Sequence, residues 1–267
     1  MPLIKSVRQI PKERRILLYL FLIALFLLVL WQRPWLERSN FAALPDFSAI
    51  EDVTEMKQAF YSYLTPIIEH HNESIQQQRA RLLVLQKKRA DGRSLSMLDR
   101  RWLRKLSVQY ELEWGAAEAQ DALLEKLLLR VDTIPLDLAL VQAAKESAWG
   151  RSRFAVEANN LFGQWCYIEG CGIVPNNRPA GAHHEVEAFS SVSEAIRRYM
   201  NNLNTHPSYA GFRHLRLALR EAEKPLAGMA LAKTLSFYSE RRSEYVDDIR
   251  SMIAQYQRLQ SEQGGSS

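Results

Sequence analysis

The chain has 267 residues, 47% of them hydrophobic, which is enough to bury one substantial core behind an N-terminal extension. Thirty-five Lys and Arg against 30 Asp and Glu give a net charge of +5, which suits an anionic partner without choosing among nucleic acid, lipid and wall polymer. Two cysteines, Cys166 and Cys171, exclude a disulfide scaffold and a four-cysteine zinc site.

Lys5, Arg8, Lys12, Arg14 and Arg15 precede an apolar run over 16–31 that holds no charge and no proline. The run is short for a membrane span and long for a signal core. No small-x-small cleavage site follows it, and Trp31 and Trp35 suit a membrane interface, so a retained anchor is favoured over a cleaved signal. The predicted organisation is a cytoplasmic basic segment over 1–15, a transmembrane anchor over 16–35, a spacer over 36–50, a folded domain over 51–258 and a disordered tail over 259–267. Either reading exports the domain, to the periplasmic side of an inner membrane, and removes nucleic acid from the candidate partners.

From residue 50 the pattern turns helical. Phe60, Tyr63, Leu64, Ile67 and Ile68 repeat at three and four across Pro66, predicting a kinked helix to about residue 88. Asp91-Gly92 breaks it, and helical stretches follow over 96–106 and 111–130. The cations scattered over 79–105 read as a solvated helix face. Ile134-Pro135 then introduces a helix over 136–149, stopped by Gly150.

On that helix Ala139, Gln142, Ala143, Glu146 and Trp149 share a face. Small neighbours leave room for a ligand beside Glu146, a partly apolar cleft would raise its pKa as a general acid needs, and Trp149 offers a ring to a sugar. The segment Asn159-Asn160-Leu161-Phe162-Gly163-Gln164-Trp165 then packs amides, aromatics and a glycine together, the groups that bind acetamido and hydroxyl functions. Asn160, Phe162, Gly163, Gln164 and Trp165 are the candidate substrate-binding residues there.

Ala144-Lys145-Glu146-Ser147-Ala148-Trp149-Gly150 and the Asn159–Gly163 motif together resemble the core of the glucosaminidases of glycoside hydrolase family 73. Trp165-Cys166, Cys171-Gly172, His184-Glu185-Val186, Phe189 and the stretch from Tyr199 to His206 resemble its Bax-type branch. The likeness covers about 59–255. It implies a lysozyme-like, mainly α fold with a small β-hairpin beside the cleft, no cofactor and no metal. It also implies that Glu146 protonates the β-1,4 bond between N-acetylglucosamine and N-acetylmuramic acid of peptidoglycan. Tyr238 stands where the family has a tyrosine near the cleft, although Ser239-Glu240-Arg241 lacks the Thr-Asp pair that usually follows.

Gly172, Pro175, Pro179 and Gly181 exclude a helix over 172–189 and fit the hairpin, with helices resuming over 193–203, 225–235 and 245–257. Glu185 on the hairpin is the candidate second carboxylate and Glu187 its substitute at period two, unless the substrate's N-acetyl group serves instead. His183-His184 fails as a zinc site because neighbouring strand residues face opposite ways. Export predicts a Cys166–Cys171 disulfide at the cleft rim. The competing functions are a muramidase or lytic transglycosylase on the other glycan bond, a glycan-binding module and an envelope scaffold. Protein partners are not indicated.

Overall fold

The computed structural model describes residues 41–264 apart from 116–119, 177, 180, 237 and 239–242, together with a few positions between 14 and 23. The predicted anchor over 16–35 lies for the most part outside the described residues; among those described, no helix is long and apolar enough to cross a membrane. Residues 1–42 and 43–267 form separate compact units.

The second unit is mainly helical. It opens on a single 3-10 turn, Phe47–Ala49, capped by the Asp46 carboxylate, which accepts the Ser48 N–H at 2.9 Å. Phe47, 2% exposed, lies edge-on against Phe60 and Tyr63. The second half of the predicted spacer therefore belongs to the fold, because Phe47 finds an aromatic seat there.

Helix α1, Val53–Ala90, begins at the Asp52 cap and continues through Pro66. Its buried Phe60, Leu64, Ile67, Ile68, Ile75, Leu82 and Leu85 lie on both sides of the proline. Packing along that face outweighs the one backbone hydrogen bond that the proline removes. Helix α2, Met97–Gln109, starts from a capping box in which Ser96 and Asp99 satisfy each other's backbone N–H. Helix α3, Gln120–Arg130, starts later than the predicted 111: Glu111 takes a left-handed conformation (φ 54°), and Arg130 donates to the Tyr110 and Glu111 carbonyls.

Helix α4, Leu136–Glu146, is the centre of the core. Leu138 through Ala144 are all fully buried, so the helix is covered on every side, as an apolar helix must be. It packs against α1, against α8 (Gly228–Leu231) and against the C-terminal helix α9 (Ser243–Gly264). Between α4 and those late elements come α5 (Arg153–Ala158), a three-stranded sheet, α6 (Val192–Thr205) and α7 (Ala210–Glu221). The sheet is antiparallel, with β3 (Glu185–Glu187) between β1 (Trp165–Cys166) and β2 (Gly172–Ile173). It takes up one strand more than the predicted hairpin, because the Cys166–Cys171 disulfide folds residue 165 back beside β3.

Three differences from the predicted helices have local causes. Pro225 accepts the Ala227 N–H at 3.0 Å, so α8 starts at Gly228 and gives way to a 3-10 turn, Ala232–Thr234. The pattern gave no hint of α7, where the buried Arg213 and Arg216 interrupt the apolar repeat. Helix α9 runs through most of the stretch predicted as a disordered tail.

The turn that launches α4 is pinned from three sides. Arg216 of α7, 1% exposed, donates to the carbonyls of Leu129, Arg130, Asp132 and Thr133. Asn204 of α6 donates to the Asp132 carbonyl, and Asn72 of α1 both donates to and accepts from the Ile134 backbone. Asp132 itself, 2% exposed, faces Arg79, Arg216 and Arg220.

Candidate active site

Glu146 is the last residue of α4, three residues short of the predicted helix end. The Ser147 hydroxyl donates to the Ala143 carbonyl at 2.6 Å and accepts the Gly150 N–H at 2.7 Å, closing a turn in which Ala148, Trp149 and Gly150 all have positive φ. Two consecutive non-glycine residues in that region cost about 1–2 kcal/mol each, strain of the kind found at functional sites. Gly150 cannot be replaced cheaply, since a Cβ there would press on the Phe47 ring.

The turn also redirects Trp149. Its indole is packed edge-to-face on Phe60 and Tyr61 with Lys57 over the ring, so it belongs to the α1 aromatic cluster and is not the free sugar platform predicted.

Glu146 is half-buried, and burial raises its carboxyl pKa, opposed by a hydrogen bond from Tyr245 and by the charge of Lys145. Lys145 is held by Asp248 of α9 at 2.8 Å. Behind Tyr245 runs a directed chain. The Tyr199 hydroxyl donates to Gln142 Oε1 at 2.6 Å, and Gln142 Nε2 donates to the Tyr245 oxygen at 2.8 Å. Tyr245 has then accepted its bond, so its own proton is the one that reaches Glu146.

Four tyrosines gather around this carboxylate: Tyr199 on α6, Tyr209 in the 3-10 turn Pro207–Tyr209, Tyr238, and Tyr245 on α9. Burial first, and with it the negative charge of Glu146, raises every one of these phenols, Tyr209 to about 12. They remain neutral donors across the working pH range.

Tyr238 stacks on Tyr245 with ring centroids 5.4 Å apart and donates to the Phe162 carbonyl at 3.2 Å. It is thus beside the candidate acid, with its hydroxyl used to tie the 160–165 segment to the tyrosine cluster.

That segment is mostly scaffold. Asn160, 1% exposed, donates to the carbonyls of Gln164 and Glu187 and accepts the N–H groups of Phe162 and Gln164, leaving no capacity for an acetamido group. Phe162, 3% exposed, stacks on Tyr199 at 3.9 Å, and Gln164 donates to the Ala195 carbonyl. Asn160 and Phe162, predicted to touch substrate, instead fix the loop. Gly163 stands at a left-handed turn (φ 64°) on the surface, and Trp165, 54% exposed, presents a ring that stacks on His184 at 4.3 Å. Gln164 and Trp165 line a groove with Glu187, Arg198, Asn202 and His206.

The two acids of β3 have separate surroundings. Glu185, 5% exposed, accepts the N–H groups of Gly170 at 3.1 Å and Gly172 at 2.8 Å, bonds that hold its carboxyl below the usual range. Those two bonds tie it to the disulfide loop. Gly172 is required there because a Cβ would overlap the Val186 carbonyl. Glu187 opens instead to the groove and faces Arg198 at 3.4 Å. Among the described residues, Cys166, Cys171 and Glu185 are the group with metal-ligand proximity, but sulfurs joined in a disulfide are not thiolate ligands.

Residue spacing did not expose Tyr245, Tyr209 or the role of Tyr199. Gln142, four residues before Glu146, was visible on its face, but its partners lie 57 and 103 residues away. If Tyr245 tunes the acid, Tyr245→Phe should move the alkaline limb of the pH–rate profile to higher pH, since a donor that favours the carboxylate is lost. A uniform fall in rate with the limb unmoved would make Tyr245 a packing residue only.

The family described as "Glucosaminidase: Mannosyl-glycoprotein endo-beta-N-acetylglucosaminidase" matches residues 122–258, from within α3 to within α9. Protein bax of Escherichia coli (strain K12) is 33% identical over 218 residues, covering 82% of this chain and 76% of that protein. No solved structure matches. The chain belongs to the Bax-type glucosaminidase family, a family of glycoside hydrolases.

Proposed function

We propose that the chain is a peptidoglycan endo-β-N-acetylglucosaminidase in which Glu146 is the general acid for the β-1,4 bond between N-acetylglucosamine and N-acetylmuramic acid. The observation that carries this reading is the half-buried Glu146 carboxyl, raised by burial and met by a directed Tyr199–Gln142–Tyr245 chain. A raised pKa favours the protonated form that a general acid needs. Once that proton moves to the glycosidic oxygen, the Tyr245 hydroxyl and Lys145 stabilise the carboxylate left behind.

The exported location rests on the five cations ahead of the apolar run over 16–31, which favour a retained single-pass anchor with the domain in the periplasm. Mass spectrometry of the reducing ends released from purified peptidoglycan tests the bond assignment. N-acetylglucosamine ends support it. N-acetylmuramic ends, reducing or anhydro, replace it with muramidase or lytic transglycosylase action, and no release at all leaves a binding module.

For the second catalytic group, the engagement of Glu185 by two backbone N–H groups favours a substrate that supplies its own nucleophile through the N-acetyl group. Glu187, in the groove beside Trp165 and facing Arg198 at 3.4 Å, is the acid on β3 that would have to act if a protein carboxylate is used. Glu185→Gln should weaken the 166–172 loop and keep more than about a tenth of the rate, whereas a true nucleophile would lose 100-fold or more. The anomer released first by wild type completes the test, retention being required for the N-acetyl route.

A further inference from the structure

Helix α2 carries a face that the glycosidase reading does not use. At about 100° per residue, Met97, Leu98, Arg100, Arg101, Arg104, Lys105 and Val108 fall within one outward arc. Met97, Leu98 and Val108 are 79%, 73% and 72% exposed, and the four cations among them are exposed as well. Among the described residues none of these four side chains has an ion-pair partner. The one acid of the helix, Asp99, lies on the inner side, bonded to Lys88 at 2.9 Å with Arg81 at 3.9 Å. Leu103 and Leu106 form the buried seam. The outer arc therefore combines large apolar side chains with uncompensated positive charge and no carboxylate.

We propose that this outward face of α2 docks on an anionic lipid bilayer. Basic side chains drawn to acidic headgroups, with apolar side chains between them to enter the acyl boundary, are the composition of a helix lying in a membrane interface. A soluble polyanion would account for the cations but not for three exposed apolar residues at the same face. A second copy of the chain would bring like charges together. The half-buried Trp102 sits at the edge of the arc, stacked under Arg81 at 4.2 Å, a suitable margin between protein and headgroups. The proposal is independent of which glycan bond is cut.

The test uses the full chain reconstituted into vesicles, with an environment-sensitive fluorophore on Leu98→Cys attached under non-reducing conditions so that Cys166–Cys171 stays closed. In phosphatidylglycerol vesicles at low salt the emission should shift to the blue and be quenched by a lipid-borne quencher. In phosphatidylcholine vesicles, or in phosphatidylglycerol at about 0.5 M salt, it should do neither. Each cation removed should lower the docked-to-free ratio about fivefold, so Arg101→Gln, Arg104→Gln and Lys105→Gln together should lower it about 100-fold. Equal emission in both lipids overturns the proposal. So does a shift produced equally by soluble dextran sulfate without lipid quenching, which marks a polyanion site, or one that depends on protein concentration, which marks self-association.

Discussion

Glu146→Gln is expected to leave the fold intact and to lower the hydrolysis of purified peptidoglycan about 100-fold or more. The amide keeps the size of the side chain, and its oxygen still accepts the Tyr245 proton, so the Tyr199–Gln142–Tyr245 chain survives the change. What it lacks is a proton that can be transferred. Circular dichroism and thermal melting should match wild type, and binding of glycan to the variant should persist, because only a transition-state interaction has been removed. A variant that retained more than about a tenth of the wild-type rate would remove Glu146 from the mechanism and leave the tyrosine cluster without a chemical role.

Glu146 could be singled out in the sequence as the candidate acid because its signal is local: a carboxylate on an apolar helix, small residues one turn before it, and a motif a dozen residues later. Helix α1 was legible for the same reason, since it buries residues at spacings of three and four, whereas α4, buried without a break over 138–144, was legible from Pro135 at its start and Gly150 after its end. What was hidden depends on contacts between distant segments. Tyr245 reaches Gln142 across 103 residues, and no periodicity links them. Asn160 and Phe162 look like ligand-binding residues by composition, yet an amide that accepts and donates within its own loop and a ring stacked on Tyr199 are structural by geometry. Glu185 shows the same ambiguity, because an exposed strand carboxylate and one held by Gly170 and Gly172 are written alike. Helix α7 was hidden by its buried arginines, which read as polar interruptions until their partners appear: Asp132 and the carbonyls around it for Arg216, and the Leu203 and His206 carbonyls for Arg213.

That arginine cluster sets the second large effect. Asp132→Asn is expected to destabilise the domain by about 3–5 kcal/mol, the usual cost of stranding buried charge. The side chain is 2% exposed and answers three guanidiniums: Arg220 at 2.8 Å, Arg79 at 3.6 Å and Arg216 at 3.9 Å. Asparagine keeps the shape and the acceptor for the Thr133 N–H, so the loss is one of charge and not of volume. Burial lowers the Arg216 guanidinium to about 10 even with Asp132 beside it, and without that carboxylate it faces Arg79 and Arg213 uncompensated. Arg220→Gln should cost far less, since Arg220 is 40% exposed and water can replace it. Burial pushes the Asp132 carboxyl up, but the Arg220 bond and the Arg216 and Arg79 charges outweigh it, and the net shift is downward. Its contribution is therefore complete at neutral pH and is lost as pH falls through the depressed folded-state pKa. Chemical denaturation should show the destabilisation, with a melting temperature lower by on the order of 10 °C. The consequence reaches the active site, because Arg216, Asn204 and Asn72 hold the 132–134 turn from which α4 carries Glu146. The folded fraction of Asp132→Asn should then also be slower than wild type. A cost below about 1 kcal/mol would mean that Arg79 and Arg216 are satisfied by the backbone carbonyls and Arg220 by water, and that Asp132 is not the keystone of the turn.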